Sequence, residues 1–547
     1  MSASSKKKLR KEQEAAQMTE KQLAAQKEAK KLKLITTAFV AVMAVLLVIA
    51  IAVGVTNTIA NSGIREKKTI ALTVGDHQIS NAELGYFYMD SVNNFYSQYG
   101  SYASMLGLDV TKPLNEQVIN EETGLTWADD FLSSAKSNAQ AVYALADAAK
   151  AAGYTLPEEE LTALEESVNT IDMYANLYGY PDGDAYLKAF YGNGATMESY
   201  LEYTKLTSLA SSYQQAYADS LVYEDADLRA AEAENFNAYS SYDYNSYYIS
   251  ASRFLTGGTT DEEGNTTYTD AEKAASVTAA EEAAKSLVEG EIASVEDFDA
   301  AIAALEVNKD TTASSVDNVG TKYASLASVY ADWLTDSARK EGDMAYFAST
   351  STNTAEDGTE TTVTNGYYVV YYIGCDDNTF ALANVRHILA SFEHTHAEGE
   401  EHAEGETYSE EEMAAAKAEA EALLAEYEAN ATEENFAAIA NEKSDDGDGT
   451  TGGLYEDIVP GQMVTAFNDW CFDEARKPGD TGIVETEYGY HVMYYVGDSD
   501  VTYRDYMIEN DLRTEAVNEW YTATVDAMTV TDGDSKYINM ALILNAN

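Results

Sequence analysis

The chain has 547 residues, too long for one ordinary domain, and its length leads us to expect about three. Asp and Glu number 93 against 34 Lys and Arg, a formal charge of −59, which argues against nucleic acid as a partner because phosphate binding needs a basic face. Hydrophobic residues make up 45% of the chain and 41 positions are Tyr, so it can bury real cores, whereas two Cys exclude a disulfide-stapled scaffold or a Cys-rich metal fold.

The charge is segregated along the chain. Residues 1–33 hold ten Lys/Arg and four Glu, net +6, residues 34–55 hold none, and residues 56–547 therefore hold 24 against 89, net −65. The uncharged stretch, LITTAFVAVMAVLLVIAIAVGV, has 22 residues, and a helix crosses a bilayer with roughly 20 apolar ones. The basic flank Lys27, Lys30, Lys31 and Lys33 predicts a single-pass anchor at 34–55. Residues 1–33 then form a cytoplasmic tail, and the bulk of the chain lies on the far side of the cell membrane. The apolar run is longer than the roughly 7–15 residues of a cleaved signal peptide.

Residues 56–68 read as a linker. Thr69–Val74 predicts a strand turned by Gly75-Asp76. Ser80-Asn81-Ala82-Glu83 then reads as a capping box that opens a long helix carrying Tyr86, Phe87, Tyr88 and Met89. An Ala-rich helix follows over 134–152, and Pro157 with Glu158, Glu159 and Glu160 opens another. Residues 69–236 are thus predicted to form a mostly helical lobe.

An internal repeat begins near residue 237. DWLTDSARKEGD at 332–343 matches DWCFDEARKPGD at 469–480, with eight of twelve positions identical. Each copy continues into a similar strand (NGYYVVYYIG at 365–374, YGYHVMYYVG at 488–497) and starts with one (SYYISAS at 246–252, VRHILAS at 385–391). Two tandem modules of like fold follow, 237–376 and 377–499, and the whole chain reads as α+β. The surplus of the first copy, 351–364, and the insert of the second, 391–412, are predicted to be solvated loops. The tail 500–547 reads as helix over 502–528 followed by an apolar run.

Histidine distinguishes the copies. Of six in the chain, His387 and His491 fall in the matching strands of the second module, where the first has Tyr248 and Tyr368. Two imidazoles on strands that can adjoin point to an active site. His394, His396 and His402 stand among Glu in the 391–412 insert, and a solvated acidic loop is the simpler reading than a metal site. Asp446-Gly447-Asp448 lacks the Gly and Glu that a calcium loop needs at its sixth and twelfth positions. Whether Cys375 and Cys471 pair is open.

The second module also carries Val385-Arg386-His387-Ile388-Leu389-Ala390, Ser444-Asp445-Asp446, Gly452-Gly453, Gly461-Gln462-Met463 with Phe467, Pro478-Gly479-Asp480, and Thr486 with Gly489-Tyr490-His491. In this order and spacing, residues 382–497 resemble a parvulin-type peptidyl-prolyl isomerase domain. Where that family reads G-G-D-L-G, this chain reads Gly452-Gly453-Leu454-Tyr455-Glu456.

The resemblance implies catalytic roles for His387, Asp446 and His491, with the two imidazoles hydrogen-bonded at the floor of the site. It implies that Met463 and Phe467 line a proline pocket and that Thr486 supports the histidines. No cofactor or metal is implied. The first module then resembles the same fold without its histidines, structural or peptide-binding in role. The whole plan resembles PrsA/SurA-type extracytoplasmic foldases, in which a lobe made of 69–236 and completed by 500–547 holds unfolded or newly exported polypeptides. A non-catalytic chaperone or scaffold reusing the fold is the alternative. Glu393, Glu398, Glu400 and Glu401 after the first strand of the module predict no preference for phosphorylated clients.

Overall fold

The structure, a computed structural model, describes residues 61–544 apart from 263, 310, 355–359, 395–406 and 448. The expected anchor at 34–55 and the basic tail lie outside the described residues. Among the described residues no helix is long and apolar enough to cross a membrane. The chain divides into two compact units. One holds the described residues up to Leu221 together with those from Glu515 onward, and the other is Val222–Thr514.

In the first unit, β1 (Ile70–Val74) pairs with β2 (His77–Ser80) on one edge and with the strand Val530–Asp532 on the other, all antiparallel. The end of the chain thus closes a sheet begun near residue 70. Ser80 caps α1 (Asn81–Tyr99), its Oγ accepting the Glu83 amide at 3.2 Å. A reciprocal Thr126–Asp129 box opens α2 (Trp127–Ala152). Pro157 sits at the cap of α3 (Glu158–Leu177), whose first turn holds three Glu, and α4 (Gly183–Tyr191) and α5 (Met197–Ser220) complete the helices. Leu72, Val74 and Ile79 of the sheet pack on Leu84, Tyr86, Phe87 and Tyr88 of α1, on Phe131, Ala135 and Ala139 of α2, and on Tyr203 of α5. The end of α3 and the adjoining α4 leave Met173, Tyr174, Leu177, Tyr178 and Phe190 exposed, Leu177 by 75%.

The second unit opens with α6 (Asp225–Glu234) and contains two four-stranded antiparallel sheets. The first sheet comprises β3 (Ser241–Ser250), β4 (Val316–Lys322), β5 (Met344–Thr354) and β6 (Glu360–Asp376), in the order β4-β3-β6-β5. Helices α7 (Asp270–Val288) and α8 (Val295–Ala304) cover one of its faces through Ala280, Ala284, Leu287, Phe298 and Ile302. The second sheet comprises β7 (Ala381–Ser391), β8 (Leu454–Ile458), β9 (Thr481–Glu485) and β10 (Gly489–Thr502), in the order β8-β7-β10-β9. Helices α9 (Glu410–Glu428) and α10 (Glu433–Lys443) cover it through Ala416, Ala420, Leu423 and Phe436. The short helix α11 (Thr465–Cys471) lies on its other face. The two strand orders correspond element for element.

Two expectations are corrected. The surplus at 351–364 is not a loop where it is described. Residues 351–354 and 360–364 continue β5 and β6 as a paired ribbon, with Thr361 opposite Asn353 and Val363 opposite Ser351. Its alternating Thr residues suit a two-stranded ladder exposed to water.

The second correction concerns register. Met493 stands opposite His387, and the equivalent Val370 stands opposite Ser246. Ser246, not Tyr248, therefore holds the place of His387, and Tyr248 holds that of Leu389. A slip of two residues keeps every side chain on its own face, so alternation in the sequence cannot detect it; only the ladder does.

Arg504, the second residue of α12 (Tyr503–Asp526), is 1% exposed. Its guanidinium pairs with Glu232 and donates to the carbonyls of Phe236 (2.9 Å), Tyr239 (3.1 Å) and Asp377 (2.9 Å). One buried cation thus ties α6 and the segment before β3 to the link between β6 and β7. Cys375 is exposed and Cys471 buried, and both are free thiols.

Candidate active site

The pleat of β7 and β10 decides which residues can form a site. Ile388, Ala390 and Val492 point to the helix-covered face. Val385 and Met493 point to the other, toward Phe467 of α11. His387 and His491 share that second face as a diagonal cross-strand pair, since Met493 faces His387 and Leu389 faces His491. Both are buried, at 3% and 6% exposure, and their Nδ1 atoms lie 3.1 Å apart.

The free edge of β7 holds a loop that brings the carboxylate. β8 pairs with β7 only as far as Arg386. Beyond it the His387 amide donates to the Gly453 carbonyl at 2.9 Å and the Leu389 amide to Ser444 Oγ at 3.1 Å. Asp445 accepts the Ser391 amide at 2.8 Å. Arg386 donates to the carbonyls of Thr451 and Gly452 and to Glu433, which fixes the Gly-Gly turn against α10. Asp446 is thereby held with its Oδ2 3.3 Å from His387 Nε2.

The hydrogen-bond direction through the pair follows from its ends. A carboxylate only accepts, so His387 presents Nε2–H to Asp446 and keeps a lone pair on Nδ1. His491 then donates its Nδ1–H, leaving Nε2 to accept the Thr486 hydroxyl at 2.9 Å. Thr486 Oγ1 in turn accepts the Tyr488 amide at 3.2 Å. This chain needs both imidazoles neutral. Burial lowers the pKa of His387, against the pull of Asp446. Burial first, and then the neighbouring His387, take His491 down to about 4.

A cavity of about 250 Å³ opens above the pair. Phe467 meets each imidazole edge-to-face at 5.4 Å, and Met463 and Val464 extend its apolar wall. All six residues expected from the sequence fall in this one neighbourhood; Thr486 lies beneath the cavity rather than in it. Tyr455, Gln462, Val464 and Tyr488 also line it and were not expected. Tyr455 is the clearest omission. Its ring lies 5.0 Å from the His387 ring, and its hydroxyl donates to Asp446 at 3.4 Å. The available signal was its position on β8, two residues beyond Gly453 and on the same face as the neighbouring Val385.

The place equivalent to this site in the first sheet has different contents. Ser246 and Tyr368 replace the imidazoles, and the Tyr368 ring lies 4.8 Å from Tyr248 and 5.7 Å from Tyr330. Elsewhere in the second unit, His394 stacks on Tyr408 at 4.2 Å. His396 and His402 lie outside the described residues. Among the described residues no group of three metal-ligating side chains converges.

The site can act on an amide without making or breaking a bond. Rotation about a peptide bond faces a barrier of about 18–20 kcal/mol because the C–N bond has double-bond character. An apolar slot that removes water from the amide weakens that resonance. Donors placed to favour the twisted geometry over either planar one lower the barrier, tenfold for each 1.4 kcal/mol or so. No nucleophile is required.

Residues 367–497 match the family of the PPIC-type PPIase domain, beginning inside β6 rather than at residue 377. That stretch is a peptidyl-prolyl isomerase domain of parvulin type. No curated protein matches the chain. Two solved structures are similar to parts of it, both titled peptidylprolyl isomerase (PrsA). The one from Bacillus anthracis is 18% identical, with 28% of this chain and 59% of that chain covered and a TM-score of 0.18. The one from Bacillus cereus is 18% identical, with 31% and 59% covered and a TM-score of 0.18. The chain thus spans about three-fifths of each.

Proposed function

We propose that this chain is a membrane-anchored extracytoplasmic foldase. In this reading it isomerises X–Pro bonds at the His387–His491 site and holds exported, partly folded polypeptides on its helical lobe. The observation that carries the reading is the buried, hydrogen-bonded imidazole pair beneath a small apolar cavity, inside the stretch that matches the isomerase family. Met463 and Phe467 would seat the proline ring, Asp446 and Tyr455 would flank the rotating amide, and Thr486 would hold His491. The exposed Met173, Leu177 and Tyr178 of the first unit support the holding role, because unfolded clients offer apolar segments. The 34–55 segment supports the anchor through its length and basic flank.

The decisive measurement is isomerisation of an X–Pro peptide by the full-length chain in detergent, with His387→Ala alongside. We expect catalysis by the wild type and at least a tenfold loss in the variant. An inactive wild type would leave the non-catalytic chaperone, a reading favoured by the departure from the family's G-G-D-L-G after Gly453. Protease added to intact cells is expected to remove the residues beyond 56, and full protection would refute the orientation.

A further inference from the structure

The first unit contains a cavity larger than the isomerase slot, with different chemistry. It measures about 600 Å³, within the roughly 300–1,000 Å³ of small-ligand sites, and opens between the start of α1, the middle of α2 and the start of α5. Tyr86, Tyr143 and Tyr203 line it, each at least nine-tenths buried. Their hydroxyls are already engaged. Tyr86 bonds Ser199 at 2.8 Å, Tyr143 donates to Glu83, and Tyr203 donates to Asp90 at 2.5 Å. What the three residues add to the wall is therefore aromatic ring rather than free phenol hydroxyl.

Charge around the cavity has one predominant sign. Glu83 stands inside it, and Glu198 and Glu202, four residues apart and exposed on α5, stand at its rim. Lys67, exposed on the short segment before β1, is the one cation among the lining residues. Burial raises the Glu83 pKa, opposed by the Tyr143 hydroxyl, the Ser80 amide and His77. A partly buried carboxylate beside three aromatic rings is poorly matched to an anion, even at the start of a helix. It is well matched to a cation, which gains from the carboxylate while the rings enclose an apolar stem.

We propose that this cavity receives an ammonium or guanidinium group on an aliphatic stem, as carried by a Lys or Arg side chain of a bound polypeptide. The tyrosine rings would enclose the stem, and Glu83 with the rim carboxylates would face the charged head. The choice of a polypeptide as the source rests on the holding role proposed above; the recognition chemistry does not, and a free aliphatic diamine would satisfy it equally.

Calorimetric titration of the full-length chain in detergent at 150 mM salt, the ionic strength at which weak surface attraction is largely screened, tests this. Three probes are used: the pentapeptide acetyl-Gly-Gly-Lys-Gly-Gly-amide, the same peptide with its lysine acetylated, and cadaverine. We expect one molecule of the lysine peptide to bind per chain, and acetylation to weaken binding at least tenfold. E83Q and the exposed-rim variant E202K should each weaken it at least fivefold, with X–Pro isomerisation unchanged in both. Equal binding of the two peptides, no binding of either the lysine peptide or cadaverine, or wild-type affinity in E202K would overturn the proposal. Cadaverine binding without peptide binding would overturn the polypeptide source. Because isomerisation is read in the same samples, a failure of the isomerase reading is distinguishable from a failure of this one.

Discussion

Gly453 couples the backbone of the Gly-Gly turn directly to His387, so Gly453→Ala should damage the site without touching a side chain in it. Its φ is +66°, and a Cβ added there would stand 2.1 Å from the His387 carbonyl oxygen. The left-handed conformation alone costs a non-glycine residue about 1–2 kcal/mol. Relieving the overlap must push the turn off β7, which strains the bond from the His387 amide to the Gly453 carbonyl, a contribution of about 1 kcal/mol. The sum is about 2–3 kcal/mol. Amide hydrogen exchange of the β7 peptide should accelerate by roughly 30- to 200-fold if that opening is what limits exchange. Because the same displacement moves Asp446, isomerase kcat/KM should fall at least tenfold.

Gly479→Ala is the control, since Gly479 has φ +91° and nothing within 4 Å of an added Cβ. It carries the conformational cost without the overlap and should leave activity intact. If Gly453→Ala behaves no worse than Gly479→Ala in both assays, the turn does not hold His387 in the way described.

Four further outcomes follow from the same geometry. His387 and His491 both have folded pKa values below the ordinary 6.5, so as pH falls the unfolded chain takes up their protons first. The stability they contribute is complete above pH 6.5 and drains away toward about pH 4, and a His491→Gln variant should show a shallower loss across that window in chemical unfolding. Thr486→Val strips the donor from His491 Nε2 and should cost about 1–2 kcal/mol together with activity, with Thr486→Ser restoring both. Phe467→Ala, at a position 3% exposed, should cost about 3–5 kcal/mol and raise KM more than it lowers kcat. Arg504→Ala would strand Glu232 and three carbonyls and should destabilise the second unit by about 3–5 kcal/mol, measured by exchange at β3 and β7; a change under 1 kcal/mol would show that the buried cation is not what joins them.

Much of the local structure was legible because its residues serve backbone needs that local sequence can announce. Ser80 caps a helix where the pattern placed it. The helix face of Ala416, Ala420, Leu423 and Tyr427 packs on the sheet. Tyr455 was missed because it departs from the family motif and its importance arises from one contact with Asp446, a residue on another loop. The Glu83 side chain was expected to serve its own helix start; its bond to Tyr143 depends on a helix that begins some forty residues later.

The amino-acid sequence by itself determined the segregation of charge, the apolar run at 34–55, the repeated motif and the two strand histidines, since each is a property of composition or local spacing. Only the tertiary structure decided the ladder register that places Ser246 rather than Tyr248 opposite Val370, and the diagonal that brings two imidazoles to 3.1 Å. It also decided the division into two units, with Val222–Thr514 forming the second. The physical reason is the same in each case. Alternation fixes which face a strand residue takes, but its partner across the sheet is chosen by hydrogen bonds between segments far apart in the chain.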